Sequence, residues 1–185
     1  MTGRNPSEAL AAYVEPLREA IGCVTRSRLT LGARERLVIN RPYTVALNNS
    51  DPVPLRGTVS VSFTAVQVVQ IATVEEPARG AYEVNMLEYL YAISTPTNEE
   101  LLAFHWTPEH PDERARTFPH MHVGRALLGG QDAVRPGEFH KVHIPTGGRV
   151  SIEAIIRMLI EDFDVVPLHA DWRHILARTV SGNPG

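Results

Sequence analysis

The 185-residue sequence predicts an α+β protein, in which an antiparallel β-sheet has an N-terminal helix and C-terminal helices packed on it. Two observations carry this prediction. Five segments between residues 36 and 107 have the composition of β-strands and are separated by clusters of Asn, Pro, Gly and Asp. The later segment SIEAIIRMLIEDF has its apolar residues at helical spacing. With 43% hydrophobic residues, the chain can bury a core as one domain.

The five strand segments predict an antiparallel meander. They are RLVIN, YTVALNN, GTVSVSFTAVQVVQIATV, AYEVNMLEYLYAIS and ELLAFHW. The fourth segment is apolar on both alternating faces, which is typical of a central strand. The polar segment STPTNEE then predicts the turn of a hairpin that leads into LLAFHW.

Helical periodicity appears at both ends of the chain. Residues 5–22 predict a helix with apolar positions at Leu10, Val14, Leu17 and Ile21, and Pro16 is expected to kink or split it. In SIEAIIRMLIEDF, Ser151 is a natural N-cap. Its apolar stripe consists of Ile152, Ile155, Ile156, Leu159, Ile160 and Phe163. The segment DWRHILARTV predicts a second short helix.

These elements predict a helical extension at residues 1–24, a single α+β domain at 25–180 and a disordered tail at 181–185. A formal net charge of -3 disfavours a nucleic-acid footprint over the whole surface. Residues 26–41 nevertheless carry five arginines against one acid, Glu35. A solvated surface is the favoured interpretation of this segment, and a phosphate-facing patch is the alternative.

The compartment is predicted to be the cytoplasm. A single cysteine, Cys23, excludes intramolecular disulfides. No segment approaches the roughly 18 consecutive apolar residues of a membrane span, and the N-terminus is too charged for the apolar core of a signal peptide.

The segment FHWTPEHPDERARTFPHMHVG contains four of the eight histidines, and His140 and His143 follow it. If PHMHVG is a strand, His120 and His122 lie on one face about 7 Å apart, while Met121 and Val123 face the core. Two imidazoles so placed can serve as base and acid at a phosphodiester, because both protonation states exist at neutral pH. A cation is then needed to stabilise the developing charge, and Arg149, Arg125 and Lys141 are near in sequence.

Two other interpretations of these histidines remain open. A metal could be bound by the H-x-H pair with a third ligand from His105, His140 or His143. A cupin-like metal site is disfavoured. The cupin pattern has a Glu three or four residues after its second His, and this sequence has Arg125, Ala126 and Leu127 in that region. The histidine-triad pattern fails as well, because Gly124 stands in place of the third histidine. The sequence therefore predicts neither a metal nor another cofactor. The third interpretation is structural, with histidines that hydrogen-bond loops between strands.

Three motifs resemble the small TumE-type toxins of bacterial toxin-antitoxin operons. They are YEVNMLEYLYAIS, the returning hairpin LLAFHW and the PHMH element, and the resemblance covers about residues 80 to 164. It implies a compact α+β protein that acts on RNA and is neutralised by an antitoxin encoded beside it. Carried over by residue, it points to His120, His122 and His105.

The predicted function is that of a toxin component acting on RNA or nucleotides by metal-independent acid/base chemistry. His120, His122 and His105 are the predicted catalytic residues, with Arg149 as the charge stabiliser. The predicted partners are RNA and a cognate antitoxin, and no membrane is involved. The alternative is a non-enzymatic interaction module of a toxin-antitoxin or phage-defence operon, which binds a partner protein through its sheet edge or N-terminal helix.

Overall fold

A computed structural model describes residues 2–32, 37–74, 81–108, 117–124, 127 and 142–180, and it confirms the α+β class. The strands of the described part are β1 Thr2–Gly3, β2 Leu29–Leu31, β3 Pro42–Leu47, β4 Val53–Pro54, β5 Ser62–Thr73, β6 Tyr82–Ser94, β7 Glu100–Trp106, β8 His120–Val123 and β9 Val142–Pro145. Its α-helices are α1 Pro6–Gly22, α2 Ile152–Glu161 and α3 Trp172–Val180.

The strands form one antiparallel sheet in the order β2-β3-β5-β6-β7-β8-β9, with β1 paired to β6 and β4 to β5. Strands that follow one another along this path are also neighbours in sequence, apart from the short β4, so the predicted meander is confirmed. β6 lies between β5 and β7, as expected of a strand that is apolar on both faces. The predicted hairpin between β6 and β7 is present as well.

Helix α1 packs on one face of the sheet and shares its core. The Tyr13 hydroxyl donates to Gln67 Oε1 at 2.9 Å, and Gln67 Nε2 donates to the Tyr91 hydroxyl at 2.5 Å, so a buried polar chain joins the helix to β5 and β6. The helix begins at its Asn5 cap and continues through Pro16 as one element rather than two. The residues at 1–24 that the sequence set apart as an extension thus bury their apolar side chains with those of the sheet.

Helix α2 begins where the sequence predicts. The Ser151 Oγ accepts a hydrogen bond from the backbone N–H of Ala154, and this satisfies one of the free donors of the first turn. The predicted stripe faces the core, with Ile155 and Leu159 fully buried and Ile160 partly buried. Its burial is the main term that holds α2 on the sheet.

We expect the substitution Leu159→Ala to lower the free energy of unfolding by about 2 to 5 kcal/mol, the usual cost of truncating a fully buried leucine. Leu159 has no exposed surface, so the truncation leaves a cavity that the neighbouring side chains fill only in part. Urea denaturation measures this loss. The exposed Arg157 on the same helix supplies the control, because Arg157→Ala should change stability by less than about 0.5 kcal/mol. Equal effects from the two substitutions would contradict this packing.

Two details of the sheet differ from the sequence prediction. The strand expected at RLVIN is wrong over its described part, because residues 37–40 form no strand and the turn at Ile39 and Asn40 has Asn40 in the left-handed region. Strand β2 was not predicted, since its three residues show no periodicity and become a strand only by pairing with β3.

Residues 181–185, the predicted tail, lie outside the described residues. None of the described helices has the length and apolarity that crossing a bilayer requires.

Candidate functional site: three converging histidines

Strands β7 and β8 bring three histidines together on one face of the sheet. His105 is paired directly with His120 in the antiparallel register, and His122 follows two residues along β8 on the same face. The alternate residues Phe104 and Met121 face the other way, toward the helices and the core. The predicted separation of imidazoles from apolar side chains on β8 is therefore present, and the histidines lie on the face opposite the helices.

The three imidazoles meet through their Nε2 atoms. His122 Nε2 lies 2.8 Å from His105 Nε2 and 3.1 Å from His120 Nε2. One nitrogen from each ring can be chosen so that all three lie within 4.8 Å of one another. His120 is 1% exposed and His122 is 8% exposed, so both residues are largely buried. A phosphate group cannot fit between two nitrogens that are 3.1 Å apart.

Oxygen atoms face the far sides of two of these rings, one at hydrogen-bond distance and one farther away. His120 Nδ1 lies 2.8 Å from the backbone oxygen of Phe118, and a carbonyl can only accept, so we assign the ring proton to Nδ1. His122 Nδ1 faces the Glu100 carboxylate at 3.7 Å, which favours a proton on that nitrogen too. With both protons so assigned, the neutral rings turn the lone pairs of Nε2 toward each other.

The close approach of β8 to β7 depends on Gly124. A Cβ at this position would lie 1.7 Å from the backbone oxygen of Glu100, well inside any tolerable contact. The Gly124 N–H instead donates to the Leu101 backbone oxygen at 2.8 Å. Gly124, which stands where the histidine-triad pattern has its third histidine, is thus required for the strand pairing that places Glu100 beside His122.

A fourth histidine, His143, lies at the solvent side of the cluster. It is paired with His122 across β8 and β9, and the two rings meet edge to face with centroids 4.3 Å apart. His143 is exposed, whereas His120 and His122 are not. Its ring therefore lies between the buried histidines and solvent.

The structure does not bring Arg149 to the three histidines. Its guanidinium carbon lies 3.9 Å from the centroid of the Trp106 ring, and Trp106 is on the helix side of β7, opposite His105. There the hydroxyl of Tyr89 accepts from the Val150 backbone N–H. Burial raises the pKa of Tyr89, and this hydrogen bond and the charge of Arg149 offset part of the rise. Arg149 is thus a packing partner of Trp106.

The other predicted cations, Arg125 and Lys141, lie outside the described residues, and so does His140. Sequence reasoning did not identify Glu100 or the Phe118 carbonyl as parts of the site. Glu100 is 22 residues from His122, and only the register of β7 and β8 brings them together. The Phe118 acceptor is a backbone oxygen, which every residue has, so the sequence gives no sign of its role.

No protein-family model, curated protein or solved structure shows a significant match to this chain. The function must therefore be argued from the site itself.

Proposed function

We propose that the protein binds one divalent transition-metal ion, zinc by preference, through the Nε2 atoms of His105, His120 and His122, and that it is a metal-dependent hydrolase. The observation that carries the proposal is the convergence of these three nitrogens on a buried point. The sequence favoured metal-free chemistry. The convergence of the three Nε2 atoms supports a metal better.

The protonation of the ring nitrogens argues for a cation among the three Nε2 atoms. A neutral His120 that donates through Nδ1 to Phe118 has only a lone pair at Nε2. A neutral His122 is in the same state if its proton is on Nδ1, the nitrogen that faces the Glu100 carboxylate at 3.7 Å. Two lone pairs at 3.1 Å repel each other unless a positive charge lies between or beside them. A metal ion provides that charge and uses three lone pairs at once when His105 carries its proton on Nδ1.

The spacing is close to what zinc requires. Zinc bonds imidazole nitrogen at about 2.0 to 2.1 Å, so nitrogens in a tetrahedral site are about 3.3 Å apart. The two separations from His122, 2.8 and 3.1 Å, need only small outward adjustments, and one ligand atom from each of the three histidines lies within 4.8 Å of the others. All three ligands are on strands, which hold side chains more rigidly than loops do.

The second layer of contacts also resembles that of metal sites. Histidines that bind metals usually donate their other N–H to a carboxylate or a backbone carbonyl, which fixes the tautomer and the ring orientation. His120 has the Phe118 carbonyl in this position at 2.8 Å. The Glu100 carboxylate faces His122 Nδ1 at 3.7 Å, so a small movement of either side chain would give His122 an orienting acceptor as well.

The described residues offer three ligands at this point, the number typical of catalytic zinc sites, whereas structural zinc sites use four. A zinc ion held by His105, His120 and His122 would supply Lewis-acid chemistry, which polarises a carbonyl or phosphoryl oxygen and makes water a nucleophile near neutral pH. Exposed His143, in edge contact with His122, marks the side from which substrate would enter. An imidazole there can exchange protons with solvent at neutral pH.

The toxin activity inferred from the TumE resemblance stays a prediction, together with its RNA substrate, antitoxin partner and cytoplasmic location. One observation keeps it as a second candidate: His120 and His122 lie side by side on one strand face. Cleavage of RNA by the purified protein that persists in excess chelator would favour this candidate over the metal.

Metal content tests the proposal. We expect tag-free protein, purified in the presence of zinc and then desalted, to carry about one equivalent by elemental analysis. His122→Ala and the less buried His105→Ala should each retain less than about a tenth of it, since loss of one of three ligands removes most of the affinity. His174→Ala, at an exposed histidine of α3, is the matched control and should retain the full equivalent. Circular dichroism confirms that each variant is folded.

The proposal fails if wild-type protein retains no stoichiometric zinc, iron, cobalt or manganese under these conditions. It also fails if the folded His105→Ala and His122→Ala variants retain as much metal as the wild type.

A further inference from the structure

A cavity lies far from the histidines, at the opposite edge of the sheet. It measures about 460 Å³ and is formed by the end of α1, the segment that leads into β2 and the loop before α3. In the strand order, β2 is at one end and β8 and β9 are at the other. This volume is within the usual range of small-molecule sites.

The cavity is lined by cationic side chains. Three arginines contribute to its wall, Arg18, Arg26 and Arg28, together with His169. None of the described residues that line it is acidic. Arg18 is partly neutralised by an ion pair with Glu15 on the same helix, whereas Arg26 and Arg28 form no ion pair within the described part of the chain. Two guanidinium groups are therefore available to an anion.

The rest of the lining supplies hydrogen bonds and an apolar floor. Thr25 Oγ1 accepts from the Ser27 backbone N–H at 3.1 Å, which leaves the Thr25 O–H as a donor. Apolar surface comes from Ile21, Leu29 and Leu168. This combination of guanidinium and hydroxyl donors with an apolar wall fits a phosphate group attached to a less polar body.

Backbone hydrogen bonds hold the walls in place. The Leu168 N–H donates to the Cys23 backbone oxygen at 2.8 Å, and the Asn48 N–H donates to the Arg28 backbone oxygen at 2.9 Å. The C-terminal end of α1 places about half a negative charge nearby. Arg26 and Arg28 together exceed that charge, so the net field in the cavity attracts anions.

We propose that this cavity is a binding site for a phosphorylated small molecule of nucleoside-diphosphate type, with the phosphates at Arg26 and Arg28 and the less polar body against Ile21, Leu29 and Leu168. The site is independent of the histidine cluster. It assigns a ligand to part of the arginine-rich segment, for which a solvated surface was the favoured interpretation. Arg34 and Arg36 of that segment lie outside the described residues.

Isothermal titration with ADP, pyrophosphate and adenosine, in buffer free of divalent ions, tests this site. We expect ADP to bind most tightly, pyrophosphate less tightly and adenosine least, because the phosphates supply the charge and the body adds apolar contact. The dissociation constant for ADP should rise as NaCl is increased from about 50 to 200 mM, since salt screens exposed charges.

Paired variants separate the cavity from general surface charge. Arg26→Ala with Arg28→Ala should raise the dissociation constant for ADP at least about tenfold, because each charge-assisted hydrogen bond contributes more than a neutral one. Arg41→Ala with Arg157→Ala removes the same charge at exposed sites outside the cavity and should leave ADP binding unchanged. Unchanged unfolding midpoints in both double variants confirm that the fold is retained.

Three results would overturn the proposal. ADP and pyrophosphate could fail to bind the wild type, or both double variants could lose affinity equally. The third is RNA binding that depends on Arg26 and Arg28 while ADP and pyrophosphate neither bind nor compete, which would make this surface a nucleic-acid patch.

Discussion

Zinc is expected to raise the thermal unfolding midpoint of the wild-type protein by about 8 to 16 °C when its free concentration is about a thousandfold above the dissociation constant. At that ratio, a ligand bound only by the folded state contributes about 4 kcal/mol. For a chain of this length, 1 kcal/mol shifts the midpoint by about 2 to 4 °C. The unfolded chain cannot hold His105, His120 and His122 in one place, so nearly all the binding energy stabilises the fold.

Differential scanning calorimetry of tag-free protein, with and without zinc, measures this shift. His122→Ala should show a shift of less than about 2 °C, a small part of the wild-type gain, whereas His174→Ala should match the wild type. Addition of EDTA should return the wild-type midpoint to its metal-free value. An equal zinc shift in His122→Ala would mean that zinc binds elsewhere, and the three-histidine site would then be wrong.

Gly124→Ala is expected to lower the free energy of unfolding by about 3 kcal/mol or more, at the upper end of the range for overpacking. The new Cβ would lie 1.7 Å from the Glu100 backbone oxygen, so β8 must move away from β7. That movement would also separate Glu100 from His122 and widen the histidine cluster. Urea denaturation gives the stability change, and zinc titration of the folded variant should show weaker binding.

Gly148→Ala is the matched control, because a Cβ at Gly148 meets no atom within 4 Å. This substitution restricts the unfolded chain and should be neutral or slightly stabilising. If Gly124→Ala proves as stable as Gly148→Ala, the close approach of the two strands is not as described.

Local patterns predicted most of the fold. The stripe around Ile155 and Leu159, with Ser151 before it, specifies α2 because an amphipathic helix and its cap are encoded in consecutive residues. β6 was identified as central because its apolar residues occupy both faces. The short β2 was missed because its strand character comes from pairing with β3, and pairing is not a local property.

The candidate site was predicted only in part, for the same reason. Strand alternation placed His120 and His122 on one face, and the structure agrees. The pairing of His105 with His120 joins strands separated by 13 residues, so no sequence spacing could fix it. Arg149 is predicted as the charge stabiliser because it is near the histidines in sequence, but it contacts Trp106, which faces away from His105. Two residues that are close in sequence can lie on opposite faces of a sheet, and then they do not meet.

The most direct test of the central claim is an anomalous difference map at the zinc absorption edge, from crystals of tag-free protein grown with zinc. We predict one strong peak about 2.0 to 2.1 Å from the Nε2 atoms of His105, His120 and His122. A map with no peak at this position, in which the three imidazoles remain in direct contact with one another, would contradict the account.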